Sequence, residues 1–162
     1  SRNFKIVGES GHVYGYGKSV WAMIDLDTRH PADILAVRGG LITEYIETEY
    51  PCPIEKSSRV KLSVGATPIR SIDTYYNDVD INGHINSVKY IEHVLDLWDV
   101  AWYKQHCIKR FEIAYVAESH QGDRLHFYRE GRDSDTDFNV RITKSNRDSA
   151  EVEVCRCRVQ FV

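Results

Sequence analysis

Polar residues fall on every second position of the segment 78–86, and they include a carboxylate, an amide and an imidazole. In an extended backbone, alternate side chains point to the same face, so this set can line one side of the segment. Together such groups can accept a proton, donate hydrogen bonds and orient a water molecule. The members are Asp78, Asp80, Asn82, His84 and Asn86.

The type of these residues favours a loop over a strand. Asp and Asn are poor strand formers that prefer turns and helix caps. We therefore expect the segment to lead into a helix, with Asn86 or Ser87 as the N-cap. Period-two alternation also fits a half-buried strand with a solvated face, which is the alternative.

A helix is predicted directly after the polar segment. Apolar residues recur at three- and four-residue spacing from Val88 to Trp102, which indicates about four to five helical turns. Free backbone N–H groups and the positive end of the helix dipole lie at such a start, where they can stabilise a carbonyl oxygen or an anion. The arrangement suits hydrolysis of an ester or a thioester.

The spacing Asp80-x-Asn82-x-His84-x-Asn86-x-x-x-Tyr90 resembles the catalytic motif of the acyl-acyl-carrier-protein thioesterases. The segment 111–120 resembles the second catalytic segment of that family and places Glu118 at its glutamate. The segments 19–29 and 67–80 resemble the end of its first domain and the entry to its second. The resemblance implies an α+β hotdog fold, in which an antiparallel sheet wraps around a long central helix.

The resemblance also implies site residues and their roles. Glu118 is expected to activate a water molecule. His84 is expected to protonate the leaving thiol or to maintain the hydrogen-bond network of the site. Asp80 either orients its neighbours or attacks as a nucleophile, and backbone N–H groups at the helix start polarise the carbonyl with help from Asn82. The catalytic set is Asp80, Asn82, His84 and Glu118, with Asn86, Tyr90 and Ser119 in binding or supporting roles.

Ser119 departs from the plant members of the family, which carry cysteine at that position. A lone serine needs an adjacent base to react, so water activated by carboxylates is favoured as the attacking group. The residues around Glu118 also differ from the plant form, which indicates a bacterial member. The remaining six histidines, including His120, have no partner in the pattern and are expected at the surface.

Two domains are expected: residues 1–58 as the C-terminal strands of a first hotdog domain plus a helical linker, and residues 59–162 as the second, catalytic one. No helix precedes the predicted strands of residues 1–27, so we expect the parent protein to be longer. The alternative is an N-terminal extension of a single domain. Short helices are predicted at 31–46, starting near Thr28 or Asp33, and turns at 132–135 and 145–148. A bulge, or a strand buried on both faces, is predicted near Val154 and Cys155. Strands are predicted at 4–7, 13–26, 60–64, 67–76, 108–116, 124–130, 138–143 and 151–162.

Composition limits the partners. A formal net charge of −3 gives no general attraction to nucleic acid, and an acidic carrier protein would need a local basic patch. No membrane span or signal peptide is visible. The four cysteines are expected to be reduced thiols, which predicts a cytoplasmic location. For a plant member of the family, the expected location is the plastid stroma. No metal site and no cofactor are expected. The candidate docking cations are Arg29, Arg38, Arg59, Lys61, Lys109, Arg110, Arg156 and Arg158.

The resemblance predicts hydrolysis of fatty acyl-acyl-carrier-protein, which releases a free fatty acid and ends fatty acid synthesis. The expected partner is the acyl carrier protein, and a homodimer is possible. Two alternatives stay open. One is an acyl-CoA thioesterase of the same fold, and the other is a non-catalytic acyl-binding module, since the fold alone does not prove activity.

Overall fold

A computed structural model describes residues 1–28, 30–146 and 150–162 of the chain. The chain divides into two compact units, Ser1–Lys56 and Ser57–Val162. Each unit has its own secondary structure. In the described part of the chain, no helix is both long enough and apolar enough to cross a membrane.

The first unit contains an antiparallel hairpin of β1 (Arg2–Val7) and β2 (Val13–Ser19). The second strand is shorter than the predicted range 13–26. Short 3-10 turns then occupy Ile34–Tyr45, and the Asp33 side chain caps them by accepting the N–H of Leu35 at 2.9 Å. Left-handed backbone at 38–40, which includes Gly39 and Gly40, interrupts the turns.

The second unit is a five-stranded antiparallel sheet. Its strands lie in the order β3-β5-β6-β7-β4, so β5, β6 and β7 form a meander while β4 pairs with β7 at the far edge. The order of the strands in the sheet therefore differs from their order along the chain. The strands are β3 (Arg70–Asp73), β4 (Ile108–Tyr115), β5 (Arg124–Gly131), β6 (Asp137–Ser145) and β7 (Val152–Phe161).

Several sequence predictions for the second unit can be compared with the structure. Ile142 pairs with Cys155 and Thr143 with Glu153, which skips Val154 and confirms a bulge at that point. The predicted turn at 132–135 lies between β5 and β6, whereas the turn at 145–148 falls partly outside the described residues. Residues 60–64, which are all described, are not a strand, and this prediction is wrong.

The predicted long helix is two shorter ones, α1 (Ser87–Leu95) and α2 (Val100–Tyr103). The break follows from Asp99, whose side chain accepts the N–H of Trp102 at 2.8 Å and so caps a new helix start. Apolar spacing continues across the break because Tyr90 of α1 and Trp102 of α2 both pack in or against the same core cluster. The prediction of one continuous helix of four to five turns is therefore wrong.

The core lies between α1 and one face of the sheet. Tyr90 and Val94 of α1 pack with Phe127 of β5 and Val140 of β6 in a single buried cluster. Complete burial of a large apolar side chain contributes roughly 1.5–3 kcal/mol. This packing fixes the position of α1, and with it the polar segment that precedes the helix.

Candidate active site

The polar segment forms a tight loop before α1. Val79 and Ile85 form an antiparallel bridge, and the N–H of Asp80 donates to the carbonyl of His84 at 2.8 Å. Gly83 makes the turn with a φ of +81°, which a residue with a Cβ adopts only with strain. The loop prediction is confirmed, and the short bridge explains the strand-like alternation of the sequence.

The side chain of Asp80 stabilises this loop through hydrogen bonds to the loop backbone. Its Oδ1 accepts the backbone N–H of Asn82 at 2.8 Å and that of His84 at 3.3 Å. The carboxylate of Asp80 thereby fixes the backbone of His84 and so the position of its imidazole. Asn82 lies exposed on the loop, where its side chain can meet a bound molecule.

Asn86 is the N-cap of α1, as predicted. Its Oδ1 accepts the N–H of Val88 at 3.0 Å, and its carbonyl accepts that of Lys89 at 2.9 Å. The N–H groups of residues 82–86 also donate within the loop or to Ser119. The helix start therefore offers fewer N–H donors than expected, and the N–H of Ser87 is the candidate that remains.

His84 meets Glu118, which lies on the segment after β4. The Nε2 atom of His84 is 3.4 Å from Oε2 of Glu118. A hydrogen bond from the N–H of Ile85 to the carbonyl of Ser119, at 2.8 Å, joins the two segments. The side chains are 34% and 53% exposed, so this contact adds little to stability and is open to a substrate.

His120 also belongs to this group: it is exposed, as expected, but the expectation that it has no partner is wrong. Its ring meets the ring of His84 edge to face with centroids 5.1 Å apart. The backbone N–H of His120 donates to Oδ2 of Asp123 at 3.0 Å, and its backbone carbonyl accepts from the Thr74 hydroxyl. The only signal in the sequence was its position two residues after Glu118.

Tyr90 and Ser119 lie beneath the site. Both side chains are buried, and neither hydroxyl has a hydrogen-bond partner among the described residues. Burial raises the pKa of Tyr90 to about 12, and the nearby Ser119 hydroxyl offsets part of that effect. Because Ser119 is fully buried, its hydroxyl cannot reach a substrate in this conformation, whereas the carboxylate of Glu118 can.

The structure thus joins His84, Glu118 and His120 at the surface, with Asp80 and Asn86 holding the loop. Two ionisable side chains in contact at an accessible position can take up and return a proton. Within residues 1–28, 30–146 and 150–162, no three His, Cys, Asp or Glu side chains form a group that could hold a metal ion.

Comparison with known proteins gives this site its context. Residues 63–161 match the acyl-ACP thioesterase C-terminal domain. The chain is 26% identical over 141 residues to a chloroplastic palmitoyl-acyl carrier protein thioesterase of Gossypium hirsutum, a match over 85% of this chain and 34% of the relative.

Solved structures agree with the fold. An acyl-ACP thioesterase from Bacteroides thetaiotaomicron superposes with a TM-score of 0.86 at 45% identity, over 99% of this chain and 61% of that one. A hexameric hotdog fold thioesterase of Campylobacter jejuni, at 16% identity, superposes with a TM-score of 0.52 over 59% of this chain and 81% of that one.

The fold is therefore a hotdog fold of the α+β class, as predicted. The chain belongs to the acyl-ACP thioesterase family, whose C-terminal domain it contains. It spans about a third of the length of the curated relative and about three fifths of the Bacteroides structure.

Proposed function

We propose that this chain hydrolyses the thioester bond of fatty acyl-acyl-carrier-protein and so releases a free fatty acid. The contact between His84 and Glu118 carries the proposal, because it puts a proton acceptor and a proton donor side by side at an accessible position. Membership of the acyl-ACP thioesterase family supports the same reaction, as does the name of the cotton relative.

The proposed reaction begins with a water molecule beside Glu118. The carboxylate takes one proton from the water as the oxygen attacks the thioester carbon, and the carbonyl electrons move onto the oxygen. The side-chain amide of Asn82 and the N–H of Ser87 are the candidate donors for that oxygen. When the tetrahedral intermediate collapses, the carbon–sulfur bond breaks and the thiolate receives a proton through His84.

Asp80 serves as a positioning residue in this proposal. Its Oδ1 accepts the N–H groups of Asn82 and His84, which orients the backbone that carries both residues. Ser119 supports Glu118 from the buried side. Water is then the attacking group, and no covalent intermediate forms.

We also propose that residues 1–58 are the end of a first hotdog domain and a linker, and that residues 59–162 are the catalytic domain. The similarity to a Bacteroides protein supports a bacterial member that acts in the cytoplasm. A homodimer stays a prediction.

Thiol release from acyl-carrier-protein thioesters and the matching coenzyme A thioesters tests the proposal. It should be measured on this chain and on the longer protein that the domain proposal predicts. A preference for the carrier protein is expected. A preference for coenzyme A would instead identify an acyl-CoA thioesterase, and fatty-acid binding without turnover of either substrate would identify an acyl-binding module.

A further inference from the structure

A polar cavity of about 270 Å³ lies beside the segment 57–63, away from the proposed active site. Its walls come from that segment, from β6 and from β7. Arg141 of β6 alternates with Val140 and Ile142, which are fully buried in the core under α1. Arg141 therefore lies on the opposite face of the sheet, and the cavity opens there.

The segment 57–63, here called the strap, is fixed across this face of the sheet. It forms hydrogen bonds with four strands, β4, β5, β6 and β7, at positions spread along its length. These bonds run from Ser58 to Glu112, from Arg158 to the Ser58 hydroxyl, from Asn139 to the carbonyl of Lys61, and from Ser63 to Glu130, at 2.5 to 2.9 Å for their shortest contacts. The wall of the cavity is thus held in place without any ligand.

Cations dominate the lining of the cavity. Arg59 and Lys61 of the strap face the cavity together with Arg141 and Arg156 of the sheet, and Glu153 supplies the only carboxylate among the described lining residues. Four positive charges against one negative charge leave a surplus of three in a chain whose net charge is −3.

The two sheet arginines are direct cross-strand partners. Arg141 and Arg156 face each other in the register of β6 and β7, and like charges in that position destabilise a sheet. Glu153 pairs with Arg156. Arg141 lies over the Tyr128 ring at 4.5 Å, and its buried Nε has no hydrogen-bond partner among the described residues.

The neighbouring row of the same face is built differently. There Arg158 pairs with Asp137 at 2.6 Å, and Arg110 pairs with Glu112 at 2.8 Å. Carboxylates of the protein therefore neutralise Arg158 and Arg110, whereas the residues that line the cavity keep a surplus of positive charge. Of the docking cations that the sequence suggests, only Arg59, Lys61 and Arg156 line the cavity, and Arg29 lies outside the described residues.

We propose that this cavity binds a phosphate group. A guanidinium presents its N–H donors in a fork that matches phosphate oxygens, and an anion would relieve the repulsion between Arg141 and Arg156. The volume, roughly nine times the ~30 Å³ of a water molecule in the liquid, admits a phosphate with part of the molecule that carries it. The site is separate from His84 and Glu118 and does not depend on the proposed hydrolysis.

Calorimetry and thermal shift with inorganic phosphate test the site on the full chain, with sodium chloride at matched ionic strength as the reference. The substitutions Arg59→Gln and Lys61→Gln are suited to the test, because both side chains are exposed and the strap bond of Lys61 uses its backbone carbonyl. Each should weaken phosphate binding about tenfold. Lys109→Gln, an exposed lysine of β4 outside the cavity, removes the same charge and should leave binding unchanged.

Coenzyme A and the holo and apo forms of the acyl carrier protein distinguish the source of the phosphate. Tighter binding of coenzyme A or of the holo carrier than of inorganic phosphate, lost in Lys61→Gln, supports a site for a phosphopantetheine-type ligand. Equal binding supports a site for free phosphate. Stabilisation by phosphate no greater than by chloride, or equal binding by wild type and the Arg59→Gln, Lys61→Gln double variant, would overturn the proposal.

Discussion

Replacement of Asp80 by alanine tests how the active-site loop is held. The change removes the acceptor for two backbone N–H groups, at 2.8 Å and 3.3 Å. A hydrogen bond to a charged group contributes about 1.5–3 kcal/mol. Because the second bond is long and the residue is half-exposed, we expect the free energy of unfolding to fall by about 2 kcal/mol in total. In a chain of this size, the melting temperature should then drop by about 4–8 °C.

Asp80→Asn separates the two possible roles of this residue. The amide oxygen can still accept from the N–H groups of Asn82 and His84, so the loss of stability should be about 1 kcal/mol or less. We expect this variant to keep more of the thioesterase turnover than Asp80→Ala, because the backbone that carries His84 stays in place. Asp133→Ala removes an aspartate that is 84% exposed and serves as the control.

Thermal unfolding by circular dichroism and thiol-release kinetics should be measured on all three variants. A wild-type melting temperature for Asp80→Ala would refute the assignment of Asp80 as the residue that holds the loop. If Asp80→Asn kept the wild-type melting temperature but lost as much turnover as Asp80→Ala, the charge of Asp80 would take part in the chemistry directly.

Three further predictions concern catalysis, packing and pH. His84→Ala should lower kcat about 10²–10⁴-fold with little change in melting temperature, since its side chain is partly exposed; a wild-type kcat would exclude it from the reaction. Leu125→Ala should cost about 2–5 kcal/mol in urea unfolding because Leu125 is fully buried, and a loss below 1 kcal/mol would contradict the described core. Burial raises the pKa of Tyr90 and of Cys157, each to about 12. The unfolded chain therefore loses these protons at lower pH than the folded one, and stability should fall as pH rises from about 9 to 12; a flat melting temperature over that range would contradict this.

Local chemistry made the active-site loop predictable. Asp and Asn at alternate positions indicated a loop, and the amide of Asn86 before an apolar repeat indicated a helix cap, which the structure has. Strand positions after α1 followed from alternation and turn residues. These features depend on neighbours a few residues apart, so the sequence contains their whole cause.

Features that depend on distant contacts were harder to predict. The helix break at Asp99 was hidden because the apolar spacing runs through it. The pairing of β4 with β7 depends on the topology of the sheet, on which the local sequence has no signal. The contact of His120 with His84 arises because two segments more than thirty residues apart meet, and neither segment alone indicates it.

The wrong strand prediction for residues 60–64 also has its cause in distant contacts. Their apolar and β-branched content favoured a strand, but the strap bonds instead to the side chains of Glu112, Asn139 and Glu130. Those partners lie on three different strands. Only the folded sheet brings these three side chains into one row, to which the strap can form hydrogen bonds.

The most direct test of the proposed reaction compares wild type with Glu118→Gln in thiol release from acyl-carrier-protein thioesters. The substitution keeps the size of the side chain and removes its ability to take a proton from water. We predict measurable turnover by the wild type and a fall in kcat of about 10²–10⁴-fold in the variant, with an unchanged melting temperature. Equal turnover by the two proteins would contradict the assignment of Glu118 and His84 as the pair that hydrolyses the thioester.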